Sequence, residues 1–93
     1  MDEFLTVEEK INIAKNPNTS AEILSELAKD KNDGIRCAVA MNPNTPEKVL
    51  FSLLLEDNCF SVVYDVTQNP NVTELMCRMY LMRYYNYEEG MHW

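Results

Sequence analysis

Asn42-Pro43-Asn44-Thr45 follows the mainly apolar run 35–41 and is followed by Pro46, Val49-Leu50 and Leu53-Leu54. The same motif stands at Asn16-Pro17-Asn18-Thr19 and, with one change, at Asn69-Pro70-Asn71-Val72, so the spacings are 26 and 27 residues. Self-similarity at such a period signals a chain built from stacked supersecondary units. Aligning on the motif brings Ile23-Leu24, Val49-Leu50 and Met76-Cys77 into register, and then Leu27-Ala28, Leu53-Leu54 and Tyr80-Leu81. Apolar residues at i, i+1, i+4 and i+5 make one face of a helix and do not suit strand alternation.

Working outward, the spacing predicts long helices over 20–29, 46–56 and 73–85. The residue before proline is driven out of the α region, so the upstream segments 11–15, 35–41 and 62–68 must end at the Asn-Pro steps. They are expected to be short helices of one or two turns, 3₁₀ in part. Thr19-Ser20-Ala21-Glu22 reads as a capping box with Thr19 as the cap. Thr45 reads as a cap before Pro46 at the first helical position, and Thr73 and Asn71 are alternative caps for the last long helix. Thr6-Val7-Glu8-Glu9 is a further capping box, predicting an N-terminal helix over 7–15. The extra residue of the second period is expected in the linker 57–61, since insertions are best accommodated in loops.

The run 35–46, with Val49-Leu50, Leu53-Leu54 and Asp57, resembles the variant leucine-rich repeat, whose pattern is V-R-x-x-V-A-x-N-P-x-T-P-x-x-L-L-x-x-L-A-x-D. The resemblance covers residues 9 to about 83. It implies an all-α fold, a right-handed α-solenoid of alternating short and longer helices in about three 26–27-residue repeats. Residues 1–93 would form one domain with a Met- and Tyr-rich C-terminal capping helix. Unit three departs from the pattern at Val72 and Thr73, with Val63 in place of the arginine, and unit one has Glu9-Lys10 in place of an apolar residue and arginine. Some members of the family carry an iron–sulfur cluster on an appended cysteine-rich segment; this sequence has no such segment, and no cofactor is carried over.

Composition bounds the function. Ninety-three residues with 46% apolar content leave room for one domain with its own core. The formal net charge is 8 − 15 = −7, which argues against direct nucleic-acid binding, a process driven by Lys and Arg. The longest apolar stretch, 49–55, is far short of the roughly 20 residues a membrane span needs. With no signal-peptide pattern at the start, a cytoplasmic location is expected. Cys37, Cys59 and Cys77 have spacings of neither a disulfide framework nor a zinc site and read as reduced, mostly buried thiols. The two N-x-S/T triplets, at Asn18 and Asn71, are better explained by helix starts than by glycosylation.

Catalytic chemistry has little foothold. His92 is the single histidine, and neighbouring carboxylates such as Glu56-Asp57 diverge by about 100° on a helix. The expected function is therefore non-enzymatic protein–protein interaction. Met79, Met82, Tyr84, Tyr85, Tyr87 and Trp93 exceed what one helix face can bury. They are read either as a cap over the last repeat or as an adaptable surface for a protein partner or a second copy in a homodimer. The alternative function uses the acidic N-terminal third, Asp2, Glu3, Glu8, Glu9, Glu22, Glu26, Asp30 and Asp33, as an inhibitor or decoy occupying the basic groove of a nucleic-acid-binding protein.

Overall fold

A computed structural model describes residues 4–85. Among them the chain is all-helical: α1 (Val7–Lys15), α2 (Ala21–Leu27), α3 (Asp33–Met41), α4 (Glu47–Glu56), α5 (Phe60–Thr67) and α6 (Glu74–Tyr85). Helix α3 packs between α1 and α5, and α4 packs on α5 and α6. The core is continuous through these layers. Ala14, Leu24, Ile35, Val39, Leu50, Leu54, Val62, Val63, Val66 and Met76 are completely buried, with Leu27 and Leu53 almost so, as the 3.6-residue apolar face requires.

The Asn-Pro steps end their helices as expected: Asn16 and Asn42 hold ψ near 120° and 127°, outside the helical region. α1 spans the 7–15 that its capping box predicts. The other two differ from expectation: α3 and α5 are α-helical throughout, of 9 and 8 residues, and start two residues early, and α1 and α3 are longer than the seven-residue α2. Asn32 explains part of this. Its side chain accepts from the Gly34 and Ile35 amides, so Asp33 and Gly34, ahead of the expected segment 35–41, already lie in the helix. Gly34 suits that turn, since a Cβ there would lie 3.0 Å from the Asn32 side-chain oxygen.

Two capping assignments are corrected. Ser20, not Thr19, caps α2, accepting from the Ile23 amide, and Pro46 stands at the cap of α4 with no side-chain bond. The hydroxyls of Thr19 and Thr45 instead donate backward, to the Ile13 and Val39 carbonyls, each at 2.6 Å. They close the ends of α1 and α3, whose last carbonyls have no helical partner. Thr73 does cap α6, through the Met76 amide, and the Thr6–Glu9 box is present in both directions.

The extra residue of the second period is also placed differently. Asp30 and Asp57 correspond, each accepting from the amide two residues on, so the extra residue lies before Asp57: α4 is three residues longer than α2, and the segment after it is two residues shorter, 57–59 against 28–32. After α2 the chain tightens, with Lys29 and Asp30 amides donating to the Glu26 and Leu27 carbonyls, whereas after α4 Asp57 still donates four residues back, to Leu53. A shift from three- to four-residue hydrogen bonding absorbs one residue inside the helix.

Ion pairs fasten each of the first two linkers. Lys10 Nζ lies 2.9 Å from Asp30 Oδ2. Arg36 holds both oxygens of Asp57, at 2.7 and 3.1 Å, and donates to the Asp30 and Lys31 carbonyls. Lys10, expected to be a departure from the repeat pattern, makes the same kind of bond as Arg36, since both long side chains reach an aspartate about one helical hairpin onward. The Arg36 charge is further stabilised by its hydrogen bond to Asp57, and bidentate pairs of this kind are geometrically specific.

Candidate interaction surface

The three Asn-Pro-Asn turns are joined by a ladder of side-chain amides. Asn42 Nδ2 donates to the carbonyls of Ala14 and Asn16, at 2.7 and 2.9 Å. Asn69 repeats this one turn on, donating to Ala40 and Asn42 at the same two distances. In each turn the first asparagine's Oδ1 also accepts from the amide two residues later, at Asn18, Asn44 and Asn71. Only asparagine has an acceptor and a two-proton donor on so short a stem. The second asparagines extend the ladder outside, Asn44 to the Thr19 carbonyl and Asn71 to that of Pro43. From the sequence these asparagines mark helix ends and, at Asn71, a candidate cap, but not these bonds between turns.

At the C-terminal end α5 and α6 bring aromatic rings together. Phe60 and Tyr64 lie one helical turn apart on α5, with centroids 6.3 Å apart. Phe60 meets Tyr84 edge-on at 5.0 Å and Tyr80 at 6.2 Å. Tyr80 in turn contacts Tyr84 and Tyr85, at 5.5 and 6.1 Å. Tilted and edge-to-face pairs at these distances are favourable beyond the area they bury. Burial, followed by the hydrogen bond to Tyr85, raises the Tyr80 hydroxyl above its ordinary pKa. Arg83 anchors the group. Its guanidinium donates to the Leu54 and Asp57 carbonyls at the end of α4, where a cation complements the helix dipole, and it lies 5.1 Å from the Tyr84 ring centroid.

The expected surface residues divide. Met79 and Tyr84 are half-buried and packed on the core, in keeping with a cap, while Met82 and Tyr85 are exposed, Tyr85 by 60%. Tyr87 and Trp93 lie outside the described residues, as does His92. Of the repeat's own positions on α6, Met76 is buried, but Tyr80 and Leu81 are only half-buried. Phe60 and Tyr64, each about half exposed, were not expected in this surface from the sequence. The signal was available: they recur at i, i+4 opposite Val62, Val63 and Val66 on the same helix.

Open grooves lie on the surface of the described residues. One, about 420 Å³, is lined by residues of α1, α3, α5 and the turn after α3, among them Ile11, Lys15, Cys37, Ala38, Met41 and Asp65. Another, about 380 Å³, separates α2 from α4 and is lined by Ala28, Val49 and Leu53. The cysteines are half-buried rather than mostly buried, and all three thiols are free. Burial pushes the Cys37 thiol up to about 12, helped by a hydrogen bond to Asp65, and the Cys59 thiol lies 3.4 Å from Asp33. A thiol held protonated is a poor nucleophile. Among the described residues no three His, Cys, Asp or Glu side chains converge in a way that could hold a metal ion, and no helix is long and apolar enough to cross a membrane. No family model, curated protein or solved structure matches the chain.

Proposed function

We propose that this chain is a short right-handed α-solenoid of variant leucine-rich repeat character that acts without catalysis, binding a protein partner through the aromatic surface of α5 and α6. The observation that carries the binding reading is the exposure of Phe60, Tyr64 and Tyr85, three large side chains joined through the Tyr80 and Tyr84 rings across two adjoining helices. Single exposed apolar residues are ordinary, but contiguous ones mark interaction sites. Tyrosine and phenylalanine held in a packed cluster lose little rotamer freedom on binding, which favours them as anchors. The asparagine ladder and the Arg36–Asp57 pair support the repeat reading, because each recurs at the period of the sequence motif. Three free thiols suit a reducing, cytosolic compartment.

The decoy reading has less to support it. Within the acidic third, Glu9 bonds the Thr6 amide, Asp30 pairs with Lys10, and Asp33 receives the Cys59 thiol. Asp2 and Glu3 lie outside the described residues.

The test is to change Phe60 and Tyr85 singly to Ala, with exposed Lys48→Ala as the control, and to confirm by melting that each variant folds. Partner capture from a native lysate is then quantified for each. An anchor is expected to lose about 30-fold in affinity, the equivalent of about 2 kcal/mol. Capture of the same partner at parental affinity by both variants would place the site elsewhere.

A further inference from the structure

We infer that a second copy of this chain stacks head to tail on the first, its Asn16 amide donating to the Thr67 and Asn69 carbonyls. The inference rests on the repeat and binding reading above and names the partner. Each rung of the ladder runs one way: the asparagine of a later turn donates to two carbonyls of the earlier one. A one-way ladder has unlike ends. Asn16 accepts from the Asn18 amide through Oδ1, but among the described residues its Nδ2 has no partner. At the far end, the counterparts of Ala40 and Asn42 are Thr67 and Asn69. Among the described residues the Thr67 carbonyl accepts from none, and that of Asn69 accepts only from the Val72 amide.

Burial follows the same logic. Asn16 is exposed, whereas Asn42 and Asn69 in the same position are 2% and 1% exposed. Ile23 is 38% exposed, while Val49 and Met76 at its register fall to 8% and 0%. On the opposite face, Ile11 and Cys37 are half-buried beneath the following helix, but Tyr64 at their register is left 46% exposed. A donor and an uncovered isoleucine at one end therefore complement carbonyls and an uncovered tyrosine at the other.

Such a contact is heterologous and does not close on itself, so it propagates. The contact consists of two hydrogen bonds and a few uncovered side chains, less than the roughly 800 Å² per partner of standard stable complexes would supply. Association is therefore weak and depends on concentration. Since each copy carries −7, screening by salt strengthens it, the reverse of docking led by opposite charges.

The experiment is sedimentation of the full chain from about 10 μM to 1 mM at 0.05 and 0.3 M NaCl. The weight-average mass should rise with concentration beyond the dimer, more so at high salt. Asn16→Asp keeps the oxygen that accepts from Asn18 but sets an anion against the two carbonyls, and should weaken association at least tenfold. Asn58→Asp, with the same added charge in the exposed α4–α5 linker, should not. Tyr64→Glu spoils the other face, so neither it nor Asn16→Asp should associate alone. Mixed one to one, they pair their intact faces and should form a dimer that stops there, an outcome a two-fold interface does not give. A parent chain that is monomeric at 1 mM, an Asn16→Asp variant that associates like the parent, or a mixture that stays monomeric overturns the inference. If the chain is monomeric yet captures a partner through Phe60 and Tyr85, the stacking falls and the binding reading stands.

Discussion

Removing the Asn42 side chain as Asn42→Ala strips partners from three backbone groups at once. The Ala14 carbonyl loses a buried bond of 2.7 Å, the Asn16 carbonyl one of 2.9 Å, and the Asn44 amide its 2.8 Å acceptor. Water cannot easily replace them, since Asn42 is 2% exposed and the Ala14 bond is fully buried. A buried group left without a partner costs about 1 to 3 kcal/mol. The two partly buried groups regain some solvation, and Asn16 keeps the Thr19 amide, so the expected total is about 2 to 5 kcal/mol. In a chain of this size, whose whole stability is on the order of 5 to 14 kcal/mol, that lowers the melting temperature by upwards of about 10 °C. Urea unfolding followed by far-UV circular dichroism measures the loss directly. The internal control is Asn44→Ala, an exposed residue with one bond to the Thr19 carbonyl, expected to cost about 1 kcal/mol or less. If the Asn42 and Asn44 variants lose the same small amount, the ladder does not hold the turns together.

Leu50, fully buried, should cost roughly 2 to 5 kcal/mol as Leu50→Ala, against about 0.5 kcal/mol or less for exposed Lys48→Ala; equal urea midpoints would refute the helical face. Asp30 has its pKa lowered, first by the Asn32 amide and then by Lys10. Its contribution is therefore complete above the unfolded value near 3.9 and is lost as pH falls through the folded one. Melting from pH 6 to 2 should show a decline below about pH 4 that is shallower in Asp30→Asn, and parallel profiles would remove Asp30 from the acid response. Cys37, pushed up to about 12 from 9.0 by burial, holds less thiolate at pH 8 in the folded chain than in the unfolded one. Its alkylation by iodoacetamide, read by peptide mass spectrometry, should be at least about 100-fold slower in buffer than in urea; comparable rates would contradict the burial.

The helical class, the positions of the Asn-Pro breaks and the buried leucines were legible in the residues because each depends on local rules. Proline constrains the residue before it whatever surrounds the chain, and a 3.6-residue apolar face must be covered by something. Ile23 shows where local rules stop. It shares its register with Val49 and Met76, yet it stays exposed because no described helix lies on that side. Thr19 and Thr45 show the same limit for hydrogen bonds. A threonine before a helix suits a cap, but once the turn closes the carbonyls at the end of the preceding helix, each with one backbone amide and a second lone pair to offer, come within reach, and the hydroxyls go there.

The aromatic surface divides along the same line. From the sequence, α6 was evidently too rich in Met and Tyr for one face to bury. That Met79 and Tyr84 pack inward while Met82 and Tyr85 face out depends on where α5 crosses, and α5 itself supplies Phe60 and Tyr64. The asparagine ladder is the clearest case. Residues 25 to 29 apart are joined by its bonds, and no local pattern encodes which carbonyl an amide will meet. The sequence alone determined where each helix must break and which face must be covered, because backbone sterics and apolar periodicity act within a few residues. Only the tertiary structure decided which polar groups of separate turns satisfy one another and which large side chains remain uncovered, because those outcomes depend on distances between segments that local chemistry does not set.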